Sequence, residues 1–182
     1  NVGPKVSKEL LRAGILAISL SLTAMLFYIW IRFEWQFSLG AIIAIIHDVV
    51  ITLGIFSLLS YEINLSIVAA VLTIVGYSMN DTVVIFDRIR ENLRKYSKIS
   101  ISEISNISTN ETLSRTLITS ATTLLALLSI FIFGGPILKG FSFAMIIGVI
   151  IGTFSSIFVA TPILKYMKVD QKTILKEDSE IN

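Results

Sequence analysis

The sequence predicts an all-α membrane protein: a polytopic bundle of five transmembrane helices with no soluble domain. Three observations predict it. Of the 182 residues, 54% are hydrophobic and 15% are charged, against about 25% charged in a soluble globular domain. The mean hydropathy is +0.81, too apolar for a water-facing shell. The apolar residues also gather into five runs, each near the ~20 residues that carry a helix across a hydrocarbon core of roughly 30 Å. The same composition excludes several chemistries. A net charge of +2 is too small to suggest a nucleic-acid partner. With no cysteine there is no disulfide, thiolate metal site or cysteine nucleophile. A single histidine, His47, rules out a histidine-rich metal site.

The elements follow in order. Residues 1–12 read as a stub on the exported side. They begin Asn1-Val2-Gly3-Pro4, with no initiator Met, basic n-region or small-residue cleavage site. This is not a signal peptide, and it reads as the continuation of a longer protein. A membrane bundle over 13–167 comes next. Its first span, about 13–31, is uncharged and ends at Arg32. The second, about 35–61, is interrupted only by His47 and Asp48 near its middle, and the third, about 63–86, only by Asp81. The fourth and fifth, about 116–133 and 140–164, are again uncharged. Helices of a soluble core are rarely hydrophobic all round for so long.

Glu62 alone separates the second and third spans, while Gly134-Gly135-Pro136 and Lys139 separate the last two. Gly-Gly-Pro breaks a helix and opens a turn. The one long connection, 87–115, starts with a strong helix former in which Ile89 and Leu93 are spaced i, i+4 among charges. It extends the third helix out of the membrane. Ile101, Ile104 and Ile107 then recur at helical spacing among Ser, Glu and Asn. That pattern reads as an amphipathic helix lying on the membrane surface or on the protein, or as a packed connector. A tail, 168–182, closes the chain.

Basic residues set the orientation. One side carries Arg32, Arg88, Arg90, Arg94, Lys95, Lys98, Arg115, Lys165, Lys168, Lys172 and Lys176; the other carries only Lys5, Lys8, Arg12 and Lys139. The rich side is therefore expected in the cytoplasm, with the stub outside and the tail inside.

An ionised group deep in a bilayer costs about 2.5–3.5 kcal/mol on insertion scales, so it usually has a partner or a task. Asp81 lies about seven residues, roughly 10 Å of helix, from the charged end at Arg88. Arg115 opens the next span from that same side, so an Asp–Arg pair across adjacent helices is geometrically reasonable. The pair reads either as static interhelical glue or as a carboxyl balanced between burial and a positive neighbour, able to exchange a proton. Arg115 reads equally as a helix anchor. Thr119 and Thr122 follow it at i+4 and i+7 and give its helix a hydroxyl face, and Asn80 adds a polar group beside Asp81. Asp48 is deeper, with only His47 nearby. Sequence neighbours point about 100° apart on a helix, so the two need not pair. Gly148 and Gly152 form a Gly-x3-Gly that permits close helix packing, followed by Ser155 and Ser156. No phosphate loop, nucleophile elbow or metal-ligand spacing appears. The chain is read as no enzyme, with any work driven from elsewhere.

These residues carry a resemblance. Gly76-Tyr77-Ser78-Met79-Asn80-Asp81-Thr82-Val83-Val84-Ile85-Phe86-Asp87-Arg88-Ile89-Arg90-Glu91-Asn92 resembles the fourth-helix signature of the SecF branch of the SecD/SecF protein-export family. His47-Asp48-Val49-Val50-Ile51-Thr52-Leu53-Gly54 is similar to its preceding helix. Leu113-Ser114-Arg115-Thr116-Leu117-Ile118-Thr119-Ser120 and Phe133-Gly134-Gly135-Pro136 resemble its fifth helix and the turn after it. The similarity runs from about Gly3 to Met167, and Asn80-Asp81-Thr82 stands where the SecD branch reads Asp-Ala-Asn.

The resemblance implies a relative of the resistance-nodulation-division transporters, in which this chain corresponds to helices two to six of SecF. The first helix and the exported domain would lie upstream. It implies SecD as partner, the SecY-SecE-SecG channel with YajC as further partners, unfolded preprotein as substrate, and the bacterial cytoplasmic membrane as location. The proton-motive force would drive late steps of translocation with no cofactor; sodium stays open as the coupling ion. Asp81 and Arg115 fall on the family's proton-step positions. Two alternatives stay open: the membrane part of another transporter of that superfamily, moving a small molecule or lipid, and a structural membrane subunit.

Overall fold

The computed structural model describes residues 4–61, 64–96 and 99–171. Six α-helices follow in order: α1 (Pro4–Arg32), α2 (Trp35–Leu58), α3 (Leu65–Lys95), α4 (Ile101–Phe133), α5 (Gly135–Ser155) and, after a π-helical turn at Ser156–Ala160, α6 (Thr161–Tyr166). No strand occurs among the described residues. Among the described residues, five helical segments each contain a run long and apolar enough to cross a membrane: Arg12–Arg32, Trp35–Leu58, Leu65–Lys95, Ile101–Phe133 and Gly135–Tyr166. The fold is the all-α bundle that the apolar runs predict.

Local chemistry sets the helix ends. Asn64 caps α3 by accepting a hydrogen bond from the Ile67 N–H at 3.1 Å, and Ser100 caps α4 by accepting from Glu103 N–H at 3.3 Å. Gly134 terminates α4, Gly135 takes φ +73°, and Pro136 sits in the first turn of α5. A positive φ costs glycine nothing, so Gly-Gly-Pro reverses the chain within a few residues. The π-helical turn has a cause in Pro162, which lacks an N–H and crowds the carbonyl of the preceding turn. There the Thr161 hydroxyl donates to the Ser156 carbonyl at 2.9 Å.

Lipid tails are as apolar as leucine, so the helices associate through close packing and hydrogen bonds, with little hydrophobic gain between them. Small residues bring α5 onto α3, its most extensive partner. A Cβ placed on Gly148 would overlap the Ile74 side chain, and one on Gly152 would lie 3.0 Å from Ser78 Cβ. α2 and α4 flank this pair, and α1 runs along the rim, meeting α3 where Gly14 faces Val68. Two apolar clusters fill the interior. One, toward the basic end, includes Phe33, Phe37, Phe86, Ile89, Leu93 and Ile104, with the Phe37 and Phe86 rings edge-on at 5.2 Å. The other includes Phe56, Ile67, Ile74, Leu127, Met145 and Val149. Buried polar side chains of α2, α3 and α5 stand between them.

Of the readings that the isoleucine spacing allows over 87–115, the structure has the segment packed on the protein, as a connector joined to the fourth span. α3 runs on to Lys95, and Ile101 begins one helix that continues unbroken through Arg115 to Phe133. The two extensions lie against each other outside the apolar spans. Asn92 donates to Ser108 at 2.9 Å and to Glu111 at 2.8 Å, while Arg88 reaches Glu111 at 2.6 Å. Ile104 is buried in the adjoining apolar cluster. These long-range pairs turn a polar, Ile-spaced segment into half of a helical hairpin. Other ion pairs tie the same end: Arg32 to Asp87 at 2.8 Å and Arg90 to Glu34 at 3.1 Å. α1 begins at Pro4, so most of the stub is already helical, and α5 begins at Gly135, ahead of the apolar run at 140. The basic tail residues Lys172 and Lys176 lie outside the described residues.

Candidate functional site within the membrane

Asp81 lies on the inward face of α3 and is 3% exposed. Its Oδ2 is buried without a hydrogen-bond partner. Such an atom loses its hydration with nothing in exchange, at a cost of about 1–3 kcal/mol, more for a charged group. Arg115 of α4 acts on it electrostatically across the helix boundary. Among the described residues, no ion pair or hydrogen bond closes between the two. Asp81 is thus a buried acid within electrostatic reach of a cation with which it forms no ion pair.

The other singled-out residues fall in different places. Asn80 is exposed while its neighbour Asp81 is buried, and Arg115 is exposed in the isolated chain. Thr119 is half-buried and Thr122 exposed, and both hydroxyls donate back to carbonyls of their own helix, Arg115 and Thr116 for the first, Ile118 and Thr119 for the second. The row of hydroxyls facing the bundle is offset by one residue: Thr116 and Ser120 are buried. Ser120 lies 2.7 Å from the Thr153 hydroxyl of α5 and accepts from Tyr77 at 3.4 Å.

Asp48 is 1% exposed and fully engaged. Its Oδ2 accepts from Ser78 Oγ of α3 at 2.5 Å and from Ser155 Oγ of α5 at 2.8 Å. Its Oδ1 lies 3.1 Å from His47 Nδ1, so the two sequence neighbours do meet. The His47 ring is about one-third exposed and bridges the buried acid to the outer surface of the bundle. A second hydroxyl pair stands beside this cluster. Thr82 of α3 and Ser156, the first residue of the π-helical turn, are 3.1 Å apart, and Ser156 donates to the Gly152 carbonyl at 2.8 Å. π-Helical turns concentrate at functional sites. The polar layer therefore joins α2, α3 and α5 at the depth of the two acids.

Sequence reasoning passed over Ser78, Thr82 and the pairing role of Ser155 and Ser156. The signal was there: hydroxyls at helical spacing on the faces that also carry Asp48 and Asp81. Outside the apolar spans, the hydrogen bond from Arg88, and then that from Asn92, holds the Glu111 carboxyl below the usual carboxylate range. No group of three His, Asp or Glu side chains among the described residues could hold a metal ion.

Comparison with known proteins places this arrangement. Residues 1–170 match the family described as protein export membrane protein SecD/SecF, C-terminal. A protein translocase subunit SecF from Cereibacter sphaeroides is 53% identical over 171 residues, covering 94% of this chain and 53% of that protein. Its counterpart from Rickettsia bellii is 56% identical over 163 residues, covering 90% and 54%. The chain thus spans about half the length of these relatives. The crystal structure of SecDF, a translocon-associated membrane protein from Thermus thermophilus, superposes with a TM-score of 0.87 at 43% identity. It covers 91% of this chain and 23% of that one. SecDF in its super-membrane-facing form gives 0.82 at 39% identity, covering 98% and 24%. A family match over nearly the whole sequence, close relatives and a shared helix bundle lead to one conclusion: the chain belongs to the SecD/SecF family of protein-export membrane proteins, in its C-terminal membrane region.

Proposed function

We propose that the chain is the membrane part of a SecF subunit that works with SecD beside the SecY-SecE-SecG channel and couples the proton-motive force to late steps of preprotein translocation. The observation that carries the reading is Asp81: a buried acid with an unpartnered oxygen, within electrostatic reach of Arg115, in a chain about half identical to subunits named for protein translocation. The basic end, with Arg88, Arg90, Arg94 and Lys95, faces the cytoplasm of a bacterial inner membrane. YajC is a further partner in this reading. The subunit is an auxiliary one, without chemistry of its own and without a cofactor.

In the mechanism, a proton from outside reaches Asp81 along the interface with SecD. Protonation removes the charge that Arg115 attracts, and α3 and α4 settle into a second packing. Upstream exported domains follow that movement, and proton release to the cytoplasm resets it. One charge crossing 100 mV supplies about 2.3 kcal/mol. That equals about a 50-fold change in a two-state ratio, enough to bias helix packings separated by a few kcal/mol. One carboxyl is energetically sufficient.

The test uses the full-length protein with its partner in inverted membrane vesicles. Export of a secreted precursor is followed while the proton gradient and a sodium gradient are imposed separately. The proposal expects the subunit-dependent part of export to vanish when the proton gradient is collapsed and to ignore sodium. A stimulation that survives without either gradient contradicts it, and one restored by sodium alone replaces the proton as the driving ion.

A further inference from the structure

We propose that Asp48 is a positioning residue for Asp81: by accepting hydrogen bonds from Ser78 of α3 and Ser155 of α5, it fixes the rotation of α3 that keeps the Asp81 carboxyl on the inward face of the bundle. The proposal rests on the reading of Asp81 as the ion-carrying group.

One oxygen of Asp81, Oδ2, is buried and makes no hydrogen bond. Its setting therefore comes from the helix. α3 is fixed immediately before it, where Ser78 Oγ donates to Asp48 Oδ2 at 2.5 Å. It is fixed again immediately after, where Thr82 meets Ser156 at 3.1 Å. Ser78 and Asp81 are three residues apart, which leaves them about 60° apart around the helix at ~100° per residue. Any rotation that breaks the Ser78 bond sweeps Asp81 with it. Ser155 shares the same Asp48 oxygen at 2.8 Å, so one carboxylate pins three helices at a single atom. Both hydroxyls and the carboxyl are buried, so breaking either bond leaves a buried polar atom without its partner, at a cost of about 1–3 kcal/mol. There is little slack, since Gly152 brings α5 into contact with Ser78.

The titratable or charged groups around this layer are few. α2 contributes His47 and Asp48, and α4 contributes Arg115. α5 brings only hydroxyls at this depth, with Lys139 near its first turn, and α6 carries Lys165 near its end. α1 has Arg12 ahead of its central apolar run and Arg32 at its end. The state of Asp48 is thus felt at Asp81 mainly through α3.

The experiment reads Asp81 directly. The full-length protein with its partner is reconstituted in lipid, and the carboxylic-acid stretch of Asp81 is followed by infrared difference spectroscopy across a pH series. The band is identified by its loss in Asp81→Asn. Ser78→Ala and Ser155→Ala each remove one hydroxyl, and the midpoint of the Asp81 band is expected to move by about 0.5–1 unit, the scale of one lost hydrogen bond. Asp48→Asn, which keeps an acceptor oxygen, is expected to shift it less than Asp48→Ala. A purely structural role lowers protein level or thermal stability without moving that midpoint. If Asp48→Ala fails to assemble, the two serine variants decide. A band that titrates as in the wild type in both overturns the positioning role and leaves the role of Asp81 standing. Normal export by Asp81→Asn overturns the reading of Asp81 and the positioning role together.

Discussion

Asp48 and Asp81 are equally hidden but differently held, and the role proposed for each rests on that difference. Asp48 has donors from two helices and a histidine at its second oxygen. Asp81 has an unpartnered oxygen and a cation at a distance. The first carboxyl is tied to its neighbours through both oxygens, while the second has one oxygen that no side chain holds. Ser155→Ala should therefore lower thermal stability in detergent by about 0.6–2 kcal/mol, the range for a hydrogen bond between membrane helices. An unchanged melting temperature would mean that Asp48 gains little from Ser155. Asp81 was legible as an isolated acid in an apolar run, because charge is rare there. The Asp48 network was not, because it joins residues 48, 78 and 155, which only the packed bundle brings together.

Helix packing supplies the next scale. Gly148→Ala places a methyl against Ile74 and should destabilise the bundle by about 1–3 kcal/mol, as overpacking does. Trimming the opposing side chain in Gly148→Ala/Ile74→Ala should recover part of that loss. Gly76→Ala meets nothing within 4 Å and should be neutral or slightly stabilising in the same assay. The hairpin of α3 and α4 beyond the membrane makes a separate prediction. The Glu111 carboxyl is held below its ordinary range by Arg88, so its contribution is present above the ordinary carboxylate range and is lost as pH falls through the lowered value. Wild type should thus melt higher than Glu111→Gln near neutral pH, and the two should converge in acid. The Gly134-Gly135-Pro136 break was legible because its backbone demands are local. The joining of 101–115 to the fourth span was not, because Asn92–Ser108 and Arg88–Glu111 hold it from another helix. The π-helical turn escaped for a related reason: Pro162 marks a disturbance, but its form depends on Thr161 and Ser156 within the packed core.

For the whole molecule, the sequence specifies how many helices cross and which end is basic, since both follow from composition along the chain. How those helices meet depends on small and polar residues whose partners are distant in sequence. The bundle that results has a closely packed centre, where α3 meets α5, and a flanking helix, α4, on which Arg115 is exposed. Such a layout lets the attraction between Asp81 and Arg115 change without dismantling the core. The central claim is that Asp81 carries the driving ion, and its most direct test is Asp81→Asn in the full-length protein with its partner, measured as export of a secreted precursor at matched protein level. Asparagine keeps the shape and cannot ionise. The account predicts that export falls toward the level without the subunit while the complex still assembles. Export at the wild-type rate would contradict it and make Asp81 a structural residue.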